Sequence, residues 1–153
     1  MITAERYHDI SCGHRVVGHE GKCRHLHGHN YRIHFSVQAE NLDEIGRVLD
    51  FGIIKDKLCM WLEDNWDHKF LAWEKDSLMT SLYLEEFKDR LYPSDLLDFS
   101  RSVVWLSFNP TAENMAEYLV NIIGPQQLLG TGCTLVKVVI EETRKCSVSF
   151  IKE

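Results

Sequence analysis

The sequence predicts an α+β domain, an antiparallel sheet covered by helices, and three observations predict it. Apolar and polar residues alternate from 27 to 37 and again from 134 to 142, with the two-residue period of a half-buried strand. The stretches after Asp50 and after Thr111 carry the longer helical period. The length of 153 residues, against a typical domain of about 100 to 200, leaves room for one core, so residues 1–153 read as a single domain.

The elements follow in order. Residues 4 to 14 alternate weakly and place Ile10, Cys12 and His14 together. A loop from Arg15 to Arg24 leads to a strand with His27, His29, Tyr31, Ile33, Phe35 and Val37 on one face. Asp50 caps a helix whose stripe is Phe51, Ile54, Leu58, Trp61 and Leu62 and which ends at Asn65. An extended connection at 74 to 106 holds a short amphipathic helix, Ser77 to Leu91, and leads to an extended segment, Ser102 to Phe108. Asn109-Pro110-Thr111 opens the next helix, with Thr111 as N-cap and Glu113 in the first turn, where the helix dipole favours a carboxylate. Its stripe is Met115, Ala116, Leu119, Ile122 and Ile123, and Gly124-Pro125 reads as its stop. Val136, Val138, Ile140 and Glu142 then share one strand face opposite Leu135, Lys137, Val139 and Glu141, and Cys146 to Ile151 return as the last strand. The order is strand, strand, helix, helix, strand, strand.

Composition narrows the function. Seventeen basic against 23 acidic residues give a net charge of -6, and the longest basic cluster is Arg144-Lys145, so no nucleic-acid partner is expected. Apolar runs such as Leu135 to Ile140, interrupted by Lys137, fall short of the roughly 18 residues of a membrane span. The charged start MITAERYHDI lacks the apolar core of a signal peptide, so a cytoplasmic protein is expected. Five cysteines, an odd number, read as thiols.

Of eight histidines, His8, His14, His19, His25, His27, His29 and His34 crowd the first 34 residues. His27 and His29, two apart on a strand, project from one face and can reach one ion, and His14 on the neighbouring strand completes a set of three. Three neutral nitrogens suit Zn²⁺ and leave a fourth position open, the arrangement of a catalytic site. Cys23, four residues before His27, is either a fourth ligand or a reactive thiolate beside an open metal. His8, His19, His25 and His34 read as surface or rim residues. Glu142 either continues its apolar face inward, where a carboxylate needs hydrogen-bond donors, or is solvated past the end of the strand. Asp67-His68 in a loop is either a capping pair or a catalytic one. Cys12 shares the His14 face as a second soft ligand or, as its small size favours, a buried thiol.

Cys12-Gly13-His14-Arg15, Lys22-Cys23-Arg24-His25-Leu26-His27-Gly28-His29-Asn30-Tyr31, Asp50-Phe51, Asp67-His68, Asn109-Pro110-Thr111-Ala112-Glu113-Asn114 and Glu142-Thr143, taken together, resemble the 6-pyruvoyl-tetrahydropterin synthase / 6-carboxy-tetrahydropterin synthase family in the same order over nearly the whole chain. The resemblance implies the tunnelling fold, a four-stranded antiparallel sheet with two helices on one face, whose sheets join into a barrel across the subunits of a homo-oligomer, with a trimer-based hexamer favoured. It implies His14, His27 and His29 as zinc ligands, Cys23 as the catalytic thiol, His68 with Asp67 as the relay pair, and Glu142 as the anchor of the pterin ring. Glu113 and Thr111 either help shape the ring pocket or only start the helix. The connection at 74 to 106 is longer than the family's.

The implied substrate is 7,8-dihydroneopterin triphosphate. Its side-chain hydroxyls would meet Zn²⁺ while Cys23 takes a proton from carbon and His68 shuttles protons. Three residues, Arg24, His25 and Leu26, separate Cys23 from His27, the spacing of the family's queuosine branch, whereas the branch of tetrahydrobiopterin synthesis has a longer stretch. The expected products are therefore 6-carboxy-5,6,7,8-tetrahydropterin, acetaldehyde and triphosphate. The rival outcomes are 6-pyruvoyl-tetrahydropterin by triphosphate elimination and, more distantly, a structural zinc domain without catalysis.

Overall fold

The computed structural model describes residues 1–84 and 92–153. Its strands are β1 (Thr3–His14), β2 (His27–Ala39), β3 (Phe70–Trp73), β4 (Val103–Leu106), β5 (Cys133–Thr143) and β6 (Cys146–Ile151). They form one sheet in the order β4-β3-β1-β2-β5-β6. The α+β class holds, but the sheet has six strands, not four, and is mixed. β1, β2, β5 and β6 are antiparallel neighbours, whereas β3 runs parallel to β1 and β4 parallel to β3. The extended segment read near 102 to 108 is β4, whereas β3 lies in a stretch read without a strand. Four residues are too few to display a period, and β3 is buried at its two central positions instead of at alternate ones.

Helix α1 runs through three pieces, Phe51–Ile54, a wider π-wound turn at Lys55–Cys59, and Met60–Asn65. As expected, Asp50 caps it, its carboxylate accepting from Gly52 N at 2.7 Å. Helices α2 (Ser77–Leu84) and α3 (Pro93–Ser102) occupy the long connection. The end of the expected helix, 85–91, lies outside the described residues. Helix α4 is again three pieces, Ala112–Tyr118, π-wound Leu119–Ile123 and Gly124–Gln127. Gly124-Pro125 therefore does not stop it. Pro125 sits in the first turn after the π-wound segment, where a missing N–H is tolerated. Gly124 is required for another reason: a Cβ there would stand 2.8 Å from Leu135 Cβ, so glycine lets α4 press onto β5.

One sheet face and the two long helices bury the core: Tyr31, Ile33 and Phe35 of β2 meet Ile54, Leu58 and Leu62 of α1 and Met115 and Leu119 of α4. Two stripe residues do not join it, since Phe51 is 58 % and Ile122 44 % exposed. Spacing alone does not separate the centre of an apolar stripe from its edge. A register shift opposite Ser36/Val37 makes Val136 a bulge, so Leu135 is buried in its place, while Val138 and Ile140 face inward as expected. A smaller cluster, Ala72, Met79 and Val103 with Phe70, Phe99 and Trp105, supports the β3–β4 edge.

Gly124→Ala tests the close approach of α4. Alanine is the better helix former by about 1 kcal/mol, but overpacking against a backbone-anchored Cβ costs about 1–3 kcal/mol. We expect a lower Tm; an unchanged or raised Tm would show that β5 yields without strain.

Candidate metal centre

The centre is built at the loop end of the β1–β2 hairpin. Register pairs His14 with His27, Cys12 with His29 and Ile10 with Tyr31, so three imidazoles fall on the helix-covered face within one step of each other. Their ring centroids lie 4.5, 4.9 and 5.2 Å apart. Two tautomers are fixed by carbonyls. His14 Nδ1 donates to Pro110 O and His27 Nδ1 to His25 O, each at 2.7 Å, which turns both Nε2 lone pairs away from the backbone. His29 Nε2 stands 2.8 Å from Glu142 Oε1 without hydrogen-bond alignment, and it and His27 Nε2 are buried polar atoms lacking a hydrogen-bond partner.

His14, His27, His29 and Glu142 each bring one ligand atom within 4.8 Å of the others. Burial, opposed by the Pro110 carbonyl and reinforced by the neighbouring imidazoles, pushes His14 down to about 4. His29 is also lowered, mainly by burial, with Glu142 pulling the other way. Neutral imidazoles with converging, unpartnered lone pairs are the donor set a cation needs, and the fit is met. Glu142 points inward, as one of the two expectations had it, because β5 continues to Thr143.

Cys23 lies in a short 3₁₀ turn, Lys22–Arg24, half-buried and outside this group of four. Its carbonyl accepts from Val16 N at 2.8 Å, which ties the turn to the chain leaving His14. Cys12 is buried, and burial, helped by the Asp67 and Glu142 charges, pushes its thiol up to about 12, so it is an inert packing group outside the cluster.

Asp67 and His68 form a pair held on the edge of β1. Asp67 Oδ1 accepts from Ser11 N at 2.9 Å, and Oδ2 takes His68 Nδ1–H at 2.6 Å. Burial works to raise the Asp67 carboxyl, but the Ser11 N–H and the His68 contact outweigh it and hold it below its usual range. His68 has φ 56°, a left-handed conformation fixed by its N–H to Ser11 O at 2.7 Å. Its side chain is 81 % exposed and borders a cleft of about 550 Å³ whose lining takes in Ser11, Cys12, Gly13, Gly28, His29 and Asn30. His68 thus shares a cleft with His29 but stands outside the group formed by His14, His27, His29 and Glu142.

Thr111 caps α4 as expected, accepting from Asn114 N at 3.2 Å, and Glu113 is exposed in the first turn. The Asn109-Pro110 step does more than start a helix. Pro110 O orients His14, and the Asn109 side chain exchanges two hydrogen bonds with the Val17 backbone at 3.1 and 2.9 Å. That service by a backbone carbonyl has no side-chain signature in the sequence.

Fold and site together define an α+β protein in which three histidines and one carboxylate, gathered at the loop end of a hairpin, could hold a metal ion. The chain belongs to the 6-pyruvoyl tetrahydropterin synthase family, whose model matches residues 3–153. It is 32% identical over 148 residues to the 6-carboxy-5,6,7,8-tetrahydropterin synthase of Rickettsia felis, covering 97% of this chain and 99% of that one. The enzyme of the same name from Rickettsia bellii is 33% identical over the same shares. In fold it is similar to an uncharacterised protein of Wolinella succinogenes (TM-score 0.85, 24% identity, 99% and 98% of the two chains). It is also similar to the 6-pyruvoyl tetrahydropterin synthase of Caenorhabditis elegans (TM-score 0.65, 23% identity, 99% and 96%).

Two measurements check the centre. His27→Ala should lower bound metal, counted by atomic emission, from about one per chain to near zero with the fold retained; full retention would remove His27 as a ligand. In the metal-free protein, Tm should fall as pH drops from about 6.5 toward about 4, because the unfolded chain takes up the His14 proton first and stability is lost on acidification. A flat profile over that window would contradict the burial of a neutral His14.

Proposed function

We propose that the chain converts 7,8-dihydroneopterin triphosphate, with water, to 6-carboxy-5,6,7,8-tetrahydropterin, acetaldehyde and triphosphate, as a cytoplasmic zinc enzyme of queuosine biosynthesis. The observation that carries this reading is the near full-length likeness to enzymes named for that product. The three-residue spacing between Cys23 and His27 agrees with it. Among the described residues no helix is long and apolar enough to cross a membrane.

His14, His27 and His29 would hold Zn²⁺, which when bound acidifies substrate hydroxyls and stabilises developing negative charge. Cys23, on its turn beside the chain leaving His14, takes the proton from the side-chain carbon. His68, its Nδ1–H held by Asp67, presents Nε2 to give and take protons. Glu142, at the rim of the centre beside His29, accepts the paired N–H donors of the pterin ring. Thr111 and Glu113 act here through the helix start that carries Pro110.

His68, exposed at the edge of β1 and outside the group of His14, His27, His29 and Glu142, serves the Cys23 and metal of a neighbouring copy. A homo-oligomer follows, and sheet edges support it. Only Gly13 and His14 of β1 pair with β3, and among the described residues no strand pairs with the far side of β6. Closure of such sheets into a barrel in a trimer-based hexamer removes both edges.

The products decide the reaction. Incubated with 7,8-dihydroneopterin triphosphate, the zinc-loaded protein should release acetaldehyde and a carboxylated pterin, identified by mass; a pterin keeping all three side-chain carbons would make the chain a 6-pyruvoyl-tetrahydropterin synthase. Cys23→Ala should keep its zinc and Tm but lose about 10²–10⁴-fold in turnover. Loss of metal and fold together would make Cys23 a structural ligand. Sedimentation at micromolar concentration should show an oligomer, and a stable monomer would defeat the shared site.

A further inference from the structure

The geometry points to Tyr31 as a further substrate-contacting residue: its buried hydroxyl donates a hydrogen bond to the oxygen atom, of water or of a substrate hydroxyl, that enters the centre beside His14, His27 and His29. This rests on the reading of those histidines as metal ligands.

Tyr31 follows His29 by two residues on the same face of β2 and is fully buried. Its ring meets that of His29 at 5.3 Å and that of His14 at 5.9 Å between centroids, the latter at 84°. The hydroxyl oxygen lies 3.2 Å from His14 Nε2 and 3.4 Å from Nδ1. Those two nitrogens flank one ring carbon. An oxygen nearly equidistant from both would overlap that carbon in the ring plane, so it stands over the ring face. Neither nitrogen therefore offers it an in-plane lone pair: Nδ1 is spent on Pro110, and Nε2 points along the ring plane toward the cluster. Among the described residues no other acceptor takes this O–H.

A buried hydroxyl aimed at a π face has only a weak partner, and such a group is expensive to leave without a better one. The other groups at the centre do not supply a donor of this kind. Glu142 is a carboxylate acceptor, and the Nδ1–H groups of His14 and His27 are bound to carbonyls. An oxygen drawn to a cation there carries lone pairs and gains negative charge, and Tyr31 provides the fixed, desolvated donor that complements it.

The test uses Tyr31→Phe and the wild type loaded with cobalt(II), titrated with acetohydroxamate, an oxygen-donor probe, and followed by the visible cobalt spectrum. Metal content and Tm should match the wild type, and the Kd for acetohydroxamate should rise about tenfold, the loss of one hydrogen bond. Equal Kd values overturn the inference, as does loss of metal from Tyr31→Phe, which would make the residue part of the scaffold. If Tyr31→Phe does not fold, the zinc-loaded chain labelled with 3-fluorotyrosine, with Tyr7, Tyr83, Tyr92 and Tyr118 replaced by Phe, carries the test: its single fluorine signal should shift on addition of acetohydroxamate, and no shift overturns the inference. Wild type that loads cobalt and binds the probe but leaves dihydroneopterin triphosphate unchanged defeats the proposed reaction and not this role. Wild type that holds no metal defeats both.

Discussion

His14 stands opposite His27, and Cys12 opposite His29, only because β1 and β2 pair in the register that sets Ile10 against Tyr31. A slip of one residue between the strands would set His14 against Gly28, on the face opposite His27 and His29, and break the group apart. The register is held by burial further along the hairpin. Ile33, Phe35 and Val37 are locked under α1 and α4, so the centre inherits its precision from a hydrophobic face that continues from Tyr31 to Val37. One strand carries both the candidate site and the core, with apolar residues at its far end and the histidines at its start.

The loop end of the hairpin is braced from two directions. From the helix side, Asn109 and Pro110 clamp the backbone at Val17 and the His14 ring. From the sheet edge, the β3–β4 insertion is fastened by Arg15 Nε at 3.1 Å from Asp76 Oδ2, an aspartate only 1 % exposed whose other oxygen caps α2 at Leu78 N. Removing one partner of so buried a pair strands the other charge, worth about 3–5 kcal/mol. That makes the long insertion a structural neighbour of His14 instead of a loose appendage, since Arg15 follows the ligand directly in the chain.

The parts of this arrangement that were legible in the sequence are those carried by period and spacing. Alternation placed His27, His29 and Tyr31 on the face of Ile33 and Phe35, and the shared face of Ile10, Cys12 and His14 brought in the third histidine of the group. The cap residues Asp50 and Thr111 were legible because an Asp or Thr before a helical stripe has a definite hydrogen-bond task. What was not legible depends on contacts distant in sequence. β3 becomes a strand by pairing with Gly13 and His14, more than fifty residues away, and Val136 turns outward through a bulge in its pairing with β2. Alternation left Glu142 open between an inward and a solvated carboxylate, and its place beside His29 was not legible because it depends on how β5 lies beside β2.

The placement of His68 follows from the same pairing. Ser11 presents its N–H and C=O at the β1 edge just before β3 begins, and the two residues of the Asp67-His68 step satisfy both, one through a side chain and one through its backbone. Meeting both at once requires the chain to turn through a left-handed residue, which is strained for histidine and is held by these bonds. The strain sets the imidazole upright on the edge with its Nδ1 committed to Asp67, leaving Nε2 as the exchangeable position. A histidine needed only for packing would have no reason to be so exposed and so firmly oriented. The orientation directs it across the sheet edge toward whatever chain lies there, and this is why the proton relay and the metal centre are read as meeting between copies.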